Sequence, residues 1–135
     1  MNKIITFLLG VSLLLCPQGI FAQRLADRNN NSIGRIESNG TIRNNSGNAV
    51  GRIESDGVIR NASGSSIGRI ESDGTVRNAS GTSVGKIESN GTVRNRSGNS
   101  IGSVRDGKVC NSSGNTIGYY SGVKYQWAAY YFFFW

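Results

Sequence analysis

Histidine is absent from this 135-residue chain, methionine and proline occur once each, and only two cysteines are present. Without histidine the commonest general base and a principal zinc ligand are missing, and neither a Ser-His-Asp nor a Cys-His arrangement can be assembled. Cys16 and the single proline, Pro17, both fall in the N-terminal segment, so Cys110 is the only thiol of the remaining chain. An intrachain disulfide framework is excluded there. Charged residues make up only 17% of the sequence, and no aromatic residue occurs between Phe21 and Tyr119. Any core built over that stretch must be aliphatic.

What is present begins with a segment that reads as an export signal over residues 1–22. Lys3 supplies the positive start, Ile4 to Leu15 is a mostly apolar run, and Pro17 and Gly19 break it before Phe21-Ala22, where cleavage is expected. A membrane anchor is the first alternative, but the run falls short of the roughly 20 residues a spanning helix needs. The second is lipidation at Cys16, where Leu15 occupies the position that wants a small residue. All three readings place the rest of the chain in the periplasm, at the outer membrane or outside the cell.

The rest is dominated by a repeat. Gly34, Gly51, Gly68, Gly85 and Gly102 recur every 17 residues, and the intervening segments are near copies of Ile-Gly-Arg-Ile-Glu-Ser-Asn-Gly-Thr-Ile-Arg-Asn-Asn-Ser-Gly-Asn-Ala. Units start near 33, 50, 67, 84 and 101, and a partial unit starts at 117. Each holds two short β-branched stretches around Ser-Asn/Asp-Gly, a strong hairpin signal. A two-residue Asn39-Gly40 turn would set Ile36 opposite Arg43. A three-residue loop closed by Gly40 instead pairs Ile36 with Ile42, Glu37 with Thr41 and Arg35 with Arg43, which sorts the faces. Gly57, Gly74, Gly91 and Gly107 are the corresponding turn formers. The fifth unit is one residue short, and an Asp106-Gly107 turn still sets Val104 opposite Val109.

One hairpin cannot stand alone, because two buried aliphatic side chains contribute roughly 1.5 to 3 kcal/mol each, whereas ordering each residue costs roughly 1 to 2 kcal/mol. The units must share a core, either as an open stack or as a ring. The ends favour the ring. Leu25-Ala26-Asp27 resembles an orphan second strand and Ile117-Gly118-Tyr119-Tyr120 a first strand awaiting one, so their pairing would hide both sheet edges. The predicted fold is therefore all-β, with tandem 17-residue hairpins over 23–126 closed into a shallow, rotationally symmetric barrel.

Every aromatic residue beyond the leader lies within 119–135. The tail, residues 127–135, carries Trp127, Tyr130, Tyr131, Phe132, Phe133, Phe134 and Trp135 without a charge, and is too short to span a bilayer as a helix. Two readings stand for it: an apolar strand that threads the ring and fills a void left by small aliphatic pairs, or a membrane contact, since Trp and Tyr favour the lipid boundary. The transmembrane barrel reading fits poorly, because the outward positions are Arg and Glu rather than lipid-facing apolar residues.

Tandem Ile-Gly-x-Ile/Val and Asp/Asn-Gly-x-Val hairpins, ending in Ile117-Gly118, Gly122-Val123-Lys124 and Trp127-Ala128-Ala129 with Tyr130 to Trp135, resemble the β-flower proteins. The resemblance covers the whole chain beyond the leader, and the tail is its more specific part. It implies a shallow β-flower barrel similar in shape to the phospholipid-binding Tubby C-terminal domain, and hence association with membrane lipid. It implies no catalytic residue.

The outward ladder holds Arg35, Arg52, Arg69 and Lys86 on first strands, Glu37, Glu54, Glu71 and Glu88 beside them, and Arg43, Arg60, Arg77 and Arg94 on second strands. Such cations could hold anionic lipid headgroups or envelope polymers; the plainer reading is a solvated, salt-bridged face. Nucleic acid is disfavoured, since no aromatic is interleaved with the arginines for base stacking. Repeated carboxylates in identical surroundings do not make an acid/base pair, which needs pKa values pushed apart. No cofactor or metal is expected. The Asn-x-Ser triplets match a glycosylation pattern but are already explained by turn chemistry, and Cys110 replaces a repeat arginine. The expectation is a non-enzymatic, exported protein that associates with lipid or the envelope surface; the alternative is an interaction module that binds glycan or protein on its loop rim. Oligomeric state is left open.

Overall fold

The computed structural model describes residues 23–135. The expected leader, its cleavage and the alternative at Cys16 lie outside the described residues. Twelve strands follow in order: β1 (Arg24–Asp27), β2 (Ser32–Ile36), β3 (Thr41–Asn44), β4 (Ala49–Ile53), β5 (Val58–Asn61), β6 (Ser66–Ile70), β7 (Thr75–Asn78), β8 (Ser83–Ile87), β9 (Thr92–Asn95), β10 (Ser100–Arg105), β11 (Lys108–Asn111) and β12 (Thr116–Ser121). All pairings are antiparallel and the sheet closes as a barrel, β1 joining β12.

Register follows the rule that like faces like. Ile36 stands opposite Ile42 and Arg35 opposite Arg43, while the Glu37 amide donates to the Thr41 carbonyl at 2.8 Å. Units two to four repeat this arrangement. In the shortened fifth unit Val104 faces Val109, across a turn whose Asp106 and Gly107 have φ of 52° and 82°; both residues of such a turn need positive φ. Closure joins the two ends as a split sixth hairpin, with Leu25 opposite Tyr120.

The second turn of each unit is built by one side chain. Asn44 Oδ1 accepts the amides of Ser46 and Asn48, both at 3.0 Å, and Asn61, Asn78, Asn95 and Asn111 do the same. That is the local Asx geometry which makes Asn a turn residue. From there the chain enters the next unit through a bulge: Ile42 pairs with Gly51 and Arg43 with Ala49, so Val50 is skipped. The same shift recurs at every junction between units. A bulge bends and twists its strand, and repeating it bends the sheet round to meet itself.

Inside, Leu25, Ile36, Ile42, Ile53, Ile59, Val76, Ile87, Val93, Val104 and Val109 are buried in one aliphatic layer. The tail is where expectation and structure part. It is a helix, α1 (Tyr125–Phe133), not a threading strand, and it begins two residues before the aromatic run. A closed barrel offers no free edge to an inner strand, whose amides and carbonyls would be buried unpaired. A helix satisfies its own backbone. Ala128 and Ala129, both good helix formers, lie buried with Tyr130 where α1 meets the core.

Candidate functional site

The repeat glycines, legible in the sequence only as a period, are where α1 seats its rings. A Cβ placed on Gly85 would lie 2.6 Å from Phe134, one on Gly102 2.5 Å from Phe133, and one on Gly68 2.9 Å from the Tyr130 hydroxyl. Gly51 meets Trp135 and Gly118 meets Phe132 in the same way. Five consecutive first strands thus each yield a side chain's volume to one tail ring. Tyr130 stacks obliquely on Phe134 with centroids 6.0 Å apart and edge-on to Trp135 at 6.4 Å. Burial pushes the phenols of Tyr130 and Tyr131 above their ordinary value. The periodic glycine was the available signal, but the neighbouring strand already demands it: a Cβ at these positions would lie 2.4 to 2.8 Å from a backbone carbonyl oxygen, at Gly34 as well, where no tail ring is seated.

On the outer wall the ladder divides into two kinds of cation. Arg43 donates from Nε to Glu37 at 3.1 Å and from Nη1 to the Gly47 carbonyl at 3.0 Å. Arg60, Arg77 and Arg94 repeat both contacts, on Glu54, Glu71 and Glu88 and on the carbonyls of Gly64, Gly81 and Gly98. These four are clamped into the fold. Arg35 shares Glu37 with Arg43. Burial alone would raise the Glu37 pKa, but hydrogen bonds from Arg35 and Arg43 outweigh it and hold the carboxyl below its ordinary value. Arg52, Arg69 and Lys86 are exposed and make no ion pair among the described residues.

The cations form an arc, not a ring. In the fifth unit Ser103 faces Cys110, and Arg105 follows Val104 where the other units carry glutamate. Cys110 is a half-buried free thiol, its Sγ 4.0 Å from Thr116 Oγ1. Along the arc Arg52 stands beside Thr41 of the preceding strand, at the edge of a shallow groove of about 320 Å³ that also reaches Asn61.

The two mouths differ in chemistry. One is rimmed by the hairpin turns that carry Gly40, Gly57, Gly74, Gly91 and Gly107, all at positive φ, and the start of α1 lies there among Asp56, Asp73 and Lys124. Toward the other lie the bulge residues Ile33, Val50, Ile67, Val84, Ile101 and Ile117, half-buried against the core, and the end of α1. Trp135 is the one large apolar side chain exposed among the described residues, at 41%. The turns on that side bear Arg28 and Arg96, both exposed. Their one acidic residue, Asp27, has its carboxylate accepting the Asn29 and Asn31 amides at 3.0 and 2.9 Å.

Among the described residues no group of three or more Cys, Asp or Glu side chains is placed to hold a metal ion, and no helix is long and apolar enough to cross a membrane. A closed antiparallel barrel of repeated hairpins, with a helical aromatic plug, defines the class. A family model described as 5-fold beta-flower protein matches residues 22–135, and the chain belongs to that family. Five continuous hairpins and one split across the ends make up its ring. Neither the curated proteins nor the solved structures offer a match to it.

Proposed function

We propose that this β-flower protein is exported, has no enzymatic role, and associates with the anionic lipid surface of the cell envelope. The observation that carries the reading is the mouth at the end of α1, where exposed Trp135 sits with six half-buried β-branched side chains. Its turns bear two exposed arginines, and their single carboxylate is engaged by backbone amides. Apolar contact with cationic surroundings is the combination that favours a headgroup boundary. Most of the tail is occupied as the plug, so lipid contact falls to Trp135 and the bulge residues rather than to the whole aromatic run. Arg52, Arg69 and Lys86 add attraction at longer range, which salt screens.

Vesicle flotation tests this. The protein rises with phosphatidylglycerol-containing vesicles and not with purely zwitterionic ones, and added salt weakens the binding. Trp135→Ser and the pair Arg28→Gln with Arg96→Gln each reduce the floated fraction while the barrel stays folded. A wild-type protein that ignores anionic vesicles overturns the proposal.

A further inference from the structure

The mouth at the start of α1 holds a cavity of about 410 Å³. Ile70 and Ile87 line it from the core, and Ile70 is the most exposed of the buried aliphatic side chains at 9%, against 1% for Ile36 and Ile53. Tyr125 and Trp127 form one wall, and the turns bearing Asp56 and Asp73 form the other. Lys124 places its Nζ 4.9 Å from the centre of the Trp127 ring. The aromatic wall therefore already accepts an ammonium group, supplied by the protein itself.

The two aspartates are not there for the turn. Asp56 Oδ1 accepts the Val58 amide at 3.1 Å and Asp73 Oδ1 the Thr75 amide at 3.0 Å. Asn39 and Asn90 make the same bond at 3.0 Å in the first and fourth units. The hairpin needs only a side-chain oxygen, so the charge at 56 and 73 is free of the fold. It falls on two of the three turns that line the cavity; the third, at Ser89, carries Asn90. The neighbouring Glu54 and Glu71 are taken by Arg60 and Arg77, so the aspartates remain as acceptors. The Thr75 amide holds the Asp73 carboxyl below its ordinary pKa, which keeps it ionised.

We infer that this cavity binds a small organic ammonium ion, its alkyl groups on Ile70 and Trp127 and its charge between the ring and the Asp56–Asp73 pair. A cation over a tryptophan face gains more when partly desolvated, and the lip supplies two carboxylates. In the free protein Lys86 of the next unit attracts the Asp73 carboxylate, and Lys124, which also lines the cavity, sits over the Trp127 ring. Lys124 is exposed and can swing out as the ligand enters. This site is separate from the lipid-facing mouth and stands without it.

The test is titration of ¹⁵N-labelled protein with choline chloride and ethanolamine hydrochloride, read at the indole N–H of Trp127 and controlled with sodium chloride. The expected result is a saturable shift at Trp127 with Trp135 unmoved. Asp56→Asn combined with Asp73→Asn keeps both turns and weakens binding at least tenfold, whereas Lys124→Met tightens it severalfold. Glycerophosphocholine separates the sources: binding equal to choline assigns a lipid headgroup, and binding of choline alone assigns a free ammonium ion. No shift beyond the sodium chloride control, or an undiminished affinity in the double Asn variant, overturns the inference.

Discussion

The amide of Ile70 donates to the carbonyl of Gly57, in the turn of the preceding unit, at 2.9 Å. Gly57 thus has two tasks. It closes its own hairpin at a φ of 95°, and it lets the next strand approach so closely that a Cβ there would meet the Ile70 carbonyl oxygen. Ile53, Ile87, Val104 and Tyr120 make the same bond to Gly40, Gly74, Gly91 and Gly107. The turn glycines fasten unit to unit.

Gly64 provides the control. Its φ of 88° matches Gly57, but a Cβ there would meet nothing within 4 Å. Gly64→Ala carries only the left-handed strain, about 1 to 2 kcal/mol, whereas Gly57→Ala adds the clash with Ile70. Urea denaturation should give a clearly lower midpoint for Gly57→Ala than for Gly64→Ala. Equal midpoints would remove the stapling role.

The plug makes a second prediction. Tyr130 is 4% exposed and touches the Gly68 strand, Phe134 and Trp135, so Tyr130→Ala opens a cavity worth about 3 to 5 kcal/mol, the range for buried aromatic truncations. Tyr130→Phe keeps the ring and costs far less. Gly85→Ala attacks the plug from the barrel side at Phe134, and Phe134→Ala does not rescue it, because the Arg94 carbonyl also lies 2.6 Å from the new methyl. Thermal unfolding of the three single variants and the Gly85 and Phe134 double variant checks the set.

The barrel was legible because the repeat makes register testable. Only one loop length sets Ile36 on Ile42 and keeps Arg35 with Arg43, and the orphan strand at Leu25 had a partner waiting at Tyr120. The form of the tail was not legible. Nine consecutive uncharged residues show neither a period of two nor one of 3.6, and what decides between strand and helix is a tertiary fact, the absence of a free edge inside a closed ring. The glycine seats were hidden for a related reason: Gly51 and Trp135 lie far apart in sequence, and a missing side chain does not announce what fills its place. The ladder looked uniform because arginine is one letter whether clamped, as Arg60 is, or free, as Arg52 is.

The pH dependence of stability should report Glu37. Its folded pKa lies below the ordinary 4.5, so its contribution is full above the unfolded value and fades as pH falls through the folded one. Glu37→Gln should therefore cost most near neutral pH, up to about 1 kcal/mol for a partly exposed pair, and progressively less below pH 4.5. Denaturation midpoints at neutral and acid pH decide it. A cost that does not shrink in acid would assign the effect to packing.

Cys110 makes the last case, because the fifth unit has lost three linked charges together. Ser103, Arg105 and Cys110 stand where the regular units carry a cation, a glutamate and a clamped arginine. Restoring arginine alone, as Cys110→Arg, puts a guanidinium near Arg105 with no carboxylate to receive it, and should be neutral or slightly destabilising. Cys110→Arg with Arg105→Glu rebuilds the pair seen between Arg94 and Glu88 at 3.0 Å. Arg105→Glu alone surrenders the bond from Arg105 Nε to the Asn90 carbonyl. A double-mutant cycle should show favourable coupling of roughly 0.5 to 1 kcal/mol between the two substitutions. Additive effects would mean that the shortened turn has moved position 105 out of reach, and that the unit lost its charges because its geometry could no longer pair them.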